Sequence, residues 1–144
     1  MAQEFFTKEQ QGEIVEAIKA AEKNTSGEVQ VHIEKKCKGD AMKRALEVFK
    51  SLKMHKTAEK NGVLFYLAFE DHKFAILGDE GIDKVTPSDF WDEIKNQMQI
   101  LFKEGKFTEG LCKGIGMAGH ELKVHFPYLE SDKNELSDEI SFGS

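Results

Sequence analysis

Cysteine is scarce in this chain: there are only Cys37 and Cys112, far apart and without metal-ligand spacing. With no export signal, that predicts two reduced thiols acting as small, partly buried hydrophobes in a cytoplasmic protein, not a disulfide framework or a cysteine zinc module. Arginine is scarcer still, with Arg44 alone. Bidentate guanidinium contacts dominate base recognition and the clamping of phosphoryl groups, so a built nucleic-acid reader is not expected. No run reaches the roughly 20 apolar residues of a membrane span. The opening MAQEFFTKEQQ has neither the basic nor the apolar region of a secretory leader. The Cys-x5-Arg, Asp-x-Asp and Arg-His-Gly patterns of common phosphatase nucleophiles are missing. The histidines are scattered, and His120 and His125, five apart, do not share a helix face.

What remains is the composition of a soluble globular domain, 40% apolar and 32% charged over 144 residues. The net charge of -6 is unevenly spread. Residues 35–60 hold nine basic residues against Asp40, Glu47 and Glu59, a local +6 that leaves -12 for the rest. Lys43, Arg44, Lys50, Lys53 and Lys56 are therefore candidates for contact with a partner, against the plainer reading of a solvated helix face. Residues 129–144 carry five acids and one lysine with almost no apolar pattern, so a single domain over 1–128 with a disordered acidic tail is expected.

Periodicity gives the elements. Thr7-Lys8-Glu9-Gln10 is a capping box ahead of Ile14, Ala17, Ile18 and Ala21 at helical spacing. Val29, Val31 and Ile33 alternate with Gln30, His32 and Glu34, predicting a strand with one wet or half-covered face. A second helix starts near Asp40, its expected N-cap. Asn61-Gly62 opens an apolar run to Phe69, and a second run covers Phe74 to Leu77, so a β-hairpin with a two-residue turn at Asp71-His72 is expected. Thr86-Pro87-Ser88-Asp89 reads as the cap of a third helix, and Thr108 begins a fourth that ends at Phe126-Pro127. The order αβαββαα, with a central strand apolar all round, predicts a small mixed sheet covered by helices on both faces: a three-layer αβα sandwich of Rossmann-like type.

A two-residue turn would place Leu64 opposite Asp79 and Asn61 opposite Ile82. One rim of the sheet would then gather Glu28, Asn61, Asp79, Glu80 and Asp83, oxygen ligands suited to calcium or magnesium. A bound cation there could polarise a phosphoryl group. The plainer reading is a solvated turn in which Gly78 and Gly81 supply positive φ. The opposite rim, with Glu34, Cys37, Asp40, Glu70, Asp71 and His72, lies where open α/β sheets bind ligands, yet shows no spacing that demands chemistry. Gly114-Ile115-Gly116-Met117-Ala118-Gly119 satisfies GxGxxG, but a helix cap precedes it where the dinucleotide fingerprint needs a strand, so no nucleotide cofactor is expected.

The segments Thr25-Ser26-Gly27-Glu28-Val29-Gln30-Val31, Asn61-Gly62-Val63-Leu64 and Phe74 to Ile82, with Phe102-x-x-Gly105-x-Phe107 and Gly110-x-x-x-Gly114-Ile115, resemble the TPM domain family. The resemblance covers about residues 5 to 127. It implies a Rossmann-like sandwich in a family whose members include weak phosphatases, calcium binders and auxiliary proteins of membrane complexes. The chain is similar to the short, unanchored bacterial form, often encoded beside a LemA-like membrane protein, which implies a protein partner of that kind. Two classes stay open: a non-catalytic partner-binding module, and a low-activity metal-dependent phosphomonoesterase using Asp79, Glu80 and Asn61.

Overall fold

The alternation at Val29, Val31 and Ile33 produces β1, Glu28–Glu34, which pairs in parallel with β2, Gly62–Ala68, in unbroken register from Glu28↔Gly62 to Glu34↔Ala68. In this computed structural model residues 4–127 and 139–143 are described. Helix α1, Lys8–Glu22, precedes β1, and its Thr7/Gln10 capping box forms in both directions. Helix α2, Ala41–Ser51, and a 3-10 turn, Met54–Lys56, connect β1 to β2. Strand β3, Lys73–Gly78, returns antiparallel along β2. Then come a single helical turn α3, Glu80–Asp83, and the long helices α4, Phe90–Lys103, and α5, Phe107–His125. A short strand β4, Ser141–Phe142, closes the order β3-β2-β1-β4.

The expected three layers are present. One face of the sheet (Val29, Val31, Ile33, Val63, Phe65, Leu67) packs against Ile14 and Ile18 of α1, Ile94 and Met98 of α4, and Leu111, Ile115 and Leu122 of α5. The other face (Leu64, Tyr66, Ala68, Ala75) packs against Ala45, Val48 and Phe49 of α2. Burial of these side chains supplies the main driving force, about 1.5–3 kcal/mol for each large apolar group fully removed from water.

Four expectations need correction. The hairpin pairs Val63↔Gly78 and Ala68↔Lys73, so its loop is the four residues 69–72 and the register is offset by two from that of a two-residue turn. His72 takes the left-handed conformation in that loop, at φ 53°. The polar face of β1 is not wet: all seven residues are buried. The cap at Thr86 does not form. Asp89 is the N-cap of α4, without a side-chain bond, and the Thr86 hydroxyl donates instead to the Ile82 carbonyl. Finally, the acidic tail is not featureless. Residues 128–138 lie outside the described residues, but Ser141 and Phe142 pair in parallel with His32 and Ile33, and Ile140 and Phe142 pack on the core.

Gly78 and Gly81 do not have positive φ; Gly39 and Gly105 do. Their smallness serves close approach. A Cβ on Gly81 would sit 2.2 Å from the Glu59 carbonyl oxygen, and one on Gly78 would sit 2.4 Å from the Trp91 ring. The GxGxxG stretch lies inside α5, where Gly114 fits under Met98 and Gly119 against Ala21 while Gly116 faces open space.

Two stability measurements check this packing. Gly81→Ala, opposed by backbone atoms that cannot swing away, should cost about 1–3 kcal/mol, whereas Gly116→Ala should stabilise by up to about 1 kcal/mol. Removing residues 139–144 strips Ile140 and Phe142 from the core and should lower Tm by about 5–10 °C. An unchanged Tm would mean that β4 contributes nothing to the fold.

Candidate functional site

The most developed polar constellation is buried at the β1–β4 edge, and periodicity gave no sign of it. The Glu34 side chain, 7% exposed, points from the end of β1 to the α2 side of the sheet. Arg44, one turn into α2, reaches across and donates from Nε to Oε2 at 2.8 Å and from a terminal nitrogen to Oε1 at 2.9 Å. The Tyr66 hydroxyl of β2 donates to the same Oε2. His32 bridges outward, with Nε2 3.1 Å from Oε1 of Glu34 and Nδ1 2.9 Å from Oγ of Ser141 on β4. A proton on Nε2 lets the neutral imidazole donate to the carboxylate and accept the serine hydroxyl. Gly143 finishes the enclosure, since a Cβ there would meet Oε1 of Glu34 at 2.5 Å.

The electrostatics follow. Burial opposes ionisation of Glu34, but hydrogen bonds from Arg44, Tyr66 and His32 outweigh it and hold the carboxyl down at about 2. Burial and the bond to Glu34 push the Tyr66 phenol up. Burial lowers His32, against the pull of Glu34. This is a lock tying β1, α2, β2 and β4 through both carboxylate oxygens. The Arg44 guanidinium is committed to Glu34 and Glu47, although the side chain remains partly exposed. The signal that could have found the lock is the burial demanded by a parallel central strand: a charged residue there needs a partner, and Arg44 is the one arginine available.

The predicted cation rim is not assembled as expected. The two-residue register offset places Asp79 beside Gly62, to whose carbonyl its N–H donates, and turns residues 80–83 into helix. Asp79 caps that turn through Oδ1 to the Glu80 N–H, Glu80 faces solvent, and Asp83 accepts the Trp91 indole N–H at 2.7 Å. Asn61 donates to Ser26 and Glu59, while Glu28 is buried at the start of β1. Oδ2 of Asp79 is buried without a hydrogen-bond partner. Among the described residues no group of three or more histidine, cysteine or acidic side chains is placed to hold a metal ion. Lys43, Lys50, Lys53 and Lys56 are all exposed on and just after α2. Both cysteines are free thiols. No helix among the described residues is long and apolar enough to cross a membrane.

A sheet ordered β3-β2-β1-β4 between α2 and the α1, α4, α5 layer defines the class of protein, an α/β sandwich with a closed polar lock at one edge. The family profile of the TPM domain matches residues 2–121, and the chain belongs to that family. It is similar to the BA42 protein of the psychrophilic bacterium Bizionia argentinensis, whose NMR structure has 49% sequence identity and a TM-score of 0.89, over 96% of each chain. The N-terminal domain of a P. gingivalis protein shares the fold at 17% identity and TM-score 0.70, over 87% of this chain and 83% of that one. The N-terminal domain of the cg2496 protein of Corynebacterium glutamicum does so at 12% and 0.64, over 96% and 80%. A search of curated proteins finds no match.

The lock sets a pH dependence whose sign can be worked out. Glu34 falls from an ordinary 4.5 to about 2, so its contribution to stability is complete above about pH 4.5 and is lost as pH falls toward 2. His32 is lowered from 6.5, so the unfolded chain takes up that proton first and stability already declines as pH drops below 6.5. Denaturant titrations from pH 7 to pH 2 should show stability decreasing throughout, with the low-pH part removed in Glu34→Gln. Tyr66→Phe, which deletes one donor to the carboxylate, should cost about 1.5–3 kcal/mol at pH 7.

Proposed function

We propose that this TPM domain is a non-catalytic cytoplasmic module that docks a protein partner through the outward face of α2. One observation carries the reading: Met42 and Leu46, 41% and 45% exposed, form a stripe at i, i+4 with Lys50 continuing it and Lys43 and Lys53 beside it. Isolated surface hydrophobes are ordinary, but side chains four apart on a helix make one continuous patch. The opposite face of α2 is anchored by Ala45, Val48 and Phe49, so the patch is presented on a rigid support. Apolar anchors ringed by lysines suit an acidic protein surface with its own apolar centre. The cytoplasmic part of a LemA-like or other membrane protein is a partner of this kind. The competing phosphatase reading has less support, because the single guanidinium is paired with Glu34 and no group of three or more histidine, cysteine or acidic side chains converges among the described residues.

The test uses immobilised protein to capture the cytoplasmic portion of a purified LemA-like membrane protein. Wild type and Asp79→Ala should bind alike, while Met42→Ser/Leu46→Ser and Lys43→Glu/Lys50→Glu/Lys53→Glu should each bind at least about tenfold more weakly. Equal capture by every variant would place the partner surface elsewhere. Metal-dependent hydrolysis of p-nitrophenyl phosphate that disappears in Asp79→Ala would instead make the enzyme reading the correct one.

A further inference from the structure

A second surface, on a different edge of the sheet, carries a more specific inference. Strand β3 is the terminal strand of the sheet, and no strand among the described residues pairs with its outer edge. Alternate residues of such a strand turn N–H and C=O groups outward, ready to pair with another extended chain. The first residues of this edge, Lys73 and Phe74, line a trough of about 390 Å³, bounded by the start of α2 at Gly39, Asp40 and Ala41 and by Lys95 and Gln99 of α4. The trough continues into a cavity of about 180 Å³ whose walls are Leu67, Phe74, Phe102 and Phe107, with His72 and Gln99 at both. The rings brace one another: Phe74 meets Phe102 edge-on at 4.9 Å, and Phe102 stacks on Phe107 at 5.4 Å. A cavity of roughly 150 Å³ is enough for benzene, so this one admits a phenyl ring.

The charges fix the rest of the pattern. Lys95 and Lys103 are exposed and hold no carboxylate among the described residues. They lie two helical turns apart, about 12 Å, with Gln99 midway. Helix α4 runs antiparallel to β3, since Trp91 lies at Gly78 and Phe102 at Phe74. In an extended peptide, residues i, i+2 and i+4 share one face, and i to i+4 spans about 13 Å. Lys103 itself lines the cavity and Lys95 lines the trough beside it, so an aromatic residue in the cavity has one neighbour two positions away at Lys103 and the other directed along the trough toward Lys95. Lys73 adds positive charge nearby, its ammonium held by the carbonyls of Cys37 and Gly39. Asp40 is occupied in capping α2.

We infer that the free edge of β3 is a docking groove for an extended acidic peptide segment with the pattern acid-x-aromatic-x-acid. The segment adds as a strand to β3, seats its ring among Phe74, Phe102 and Phe107, and sets its carboxylates against Lys95 and Lys103. Because the pattern is symmetric, it fits in either chain direction. This surface does not depend on the α2 face, and each can fail without the other.

The probe is the capped pentapeptide Asp-Val-Phe-Val-Asp, titrated into the isotope-labelled full chain and followed by NMR. Saturable shifts should appear at residues 73–78 and at Gln99, Phe102 and Lys103. Replacing the peptide phenylalanine by alanine, or methylating the backbone nitrogens of the phenylalanine and both valines so that pairing is blocked in either chain direction, should abolish them. Lys95→Glu/Lys103→Glu, exposed positions whose folding the same spectra verify, should weaken binding about tenfold, whereas Met42→Ser/Leu46→Ser should leave it unchanged. Absence of shifts at millimolar peptide would overturn the inference. So would undiminished binding of the methylated peptide, or concentration-dependent shifts of the same edge without peptide, which would assign the groove to a second copy of the chain.

Discussion

One buried carboxylate organises this molecule. Glu34 ends the central parallel strand on the inside of the sandwich, where an unpaired charge would cost several kcal/mol. Its partners come from three other elements: Arg44 from α2, Tyr66 from β2, and Ser141 of β4 through His32. Satisfying that group fixes how α2 crosses the sheet. It also gives the short β4 a polar contact at the point where its backbone pairs with β1. The apolar core supplies most of the free energy of folding, but it is non-directional. The bidentate ion pair is directional and sets which way the pieces meet.

The lock also decides what the surface can offer. By consuming the single arginine it leaves the basic segment with lysines, which are compact charges suited to long-range attraction more than to shaped recognition of phosphate. Two surface features that remain are lysines beside exposed or half-buried apolar groups, on the outer stripe of α2 and along the β3 edge. Both arrangements match the chemistry of protein recognition, in which an apolar anchor contributes affinity and surrounding charges contribute selection and rate. Both are presented by elements whose opposite faces are fixed in the core.

Much of the fold was legible because it depends on local pattern. The capping box at Thr7, the Asp40 cap, the alternation in β1 and the two apolar runs of the hairpin all appear as read, and so does the helix that ends before Pro127. The failures share a cause. A two-residue error in hairpin register left every side chain on its proper face, since the period of a strand is two, but it moved Asp79 and Glu80 two positions along the edge from where the expected cation rim put them. Gln30, His32 and Glu34 read as a wet or half-covered face because polarity in a strand usually means solvent; full burial followed once partners arrived from distant segments. Ile140 and Phe142 were hidden in an acidic stretch because two apolar residues make no periodic signal.

The amino-acid sequence alone specifies the α/β class, the order of the long helices and the first three strands, the family pattern around Thr25-Ser26-Gly27 and Asn61-Gly62, and the crowding of positive charge between residues 35 and 60. Those properties follow from propensities and periodicities that act over a few residues. Only the packed fold shows that Glu34 and Arg44 meet, that Ser141 and Phe142 return to the sheet, and that, among the described residues, no strand pairs with the outer edge of β3 beside the aromatic cavity. Each of these joins residues distant in sequence, and such pairings depend on the register and packing of the whole chain.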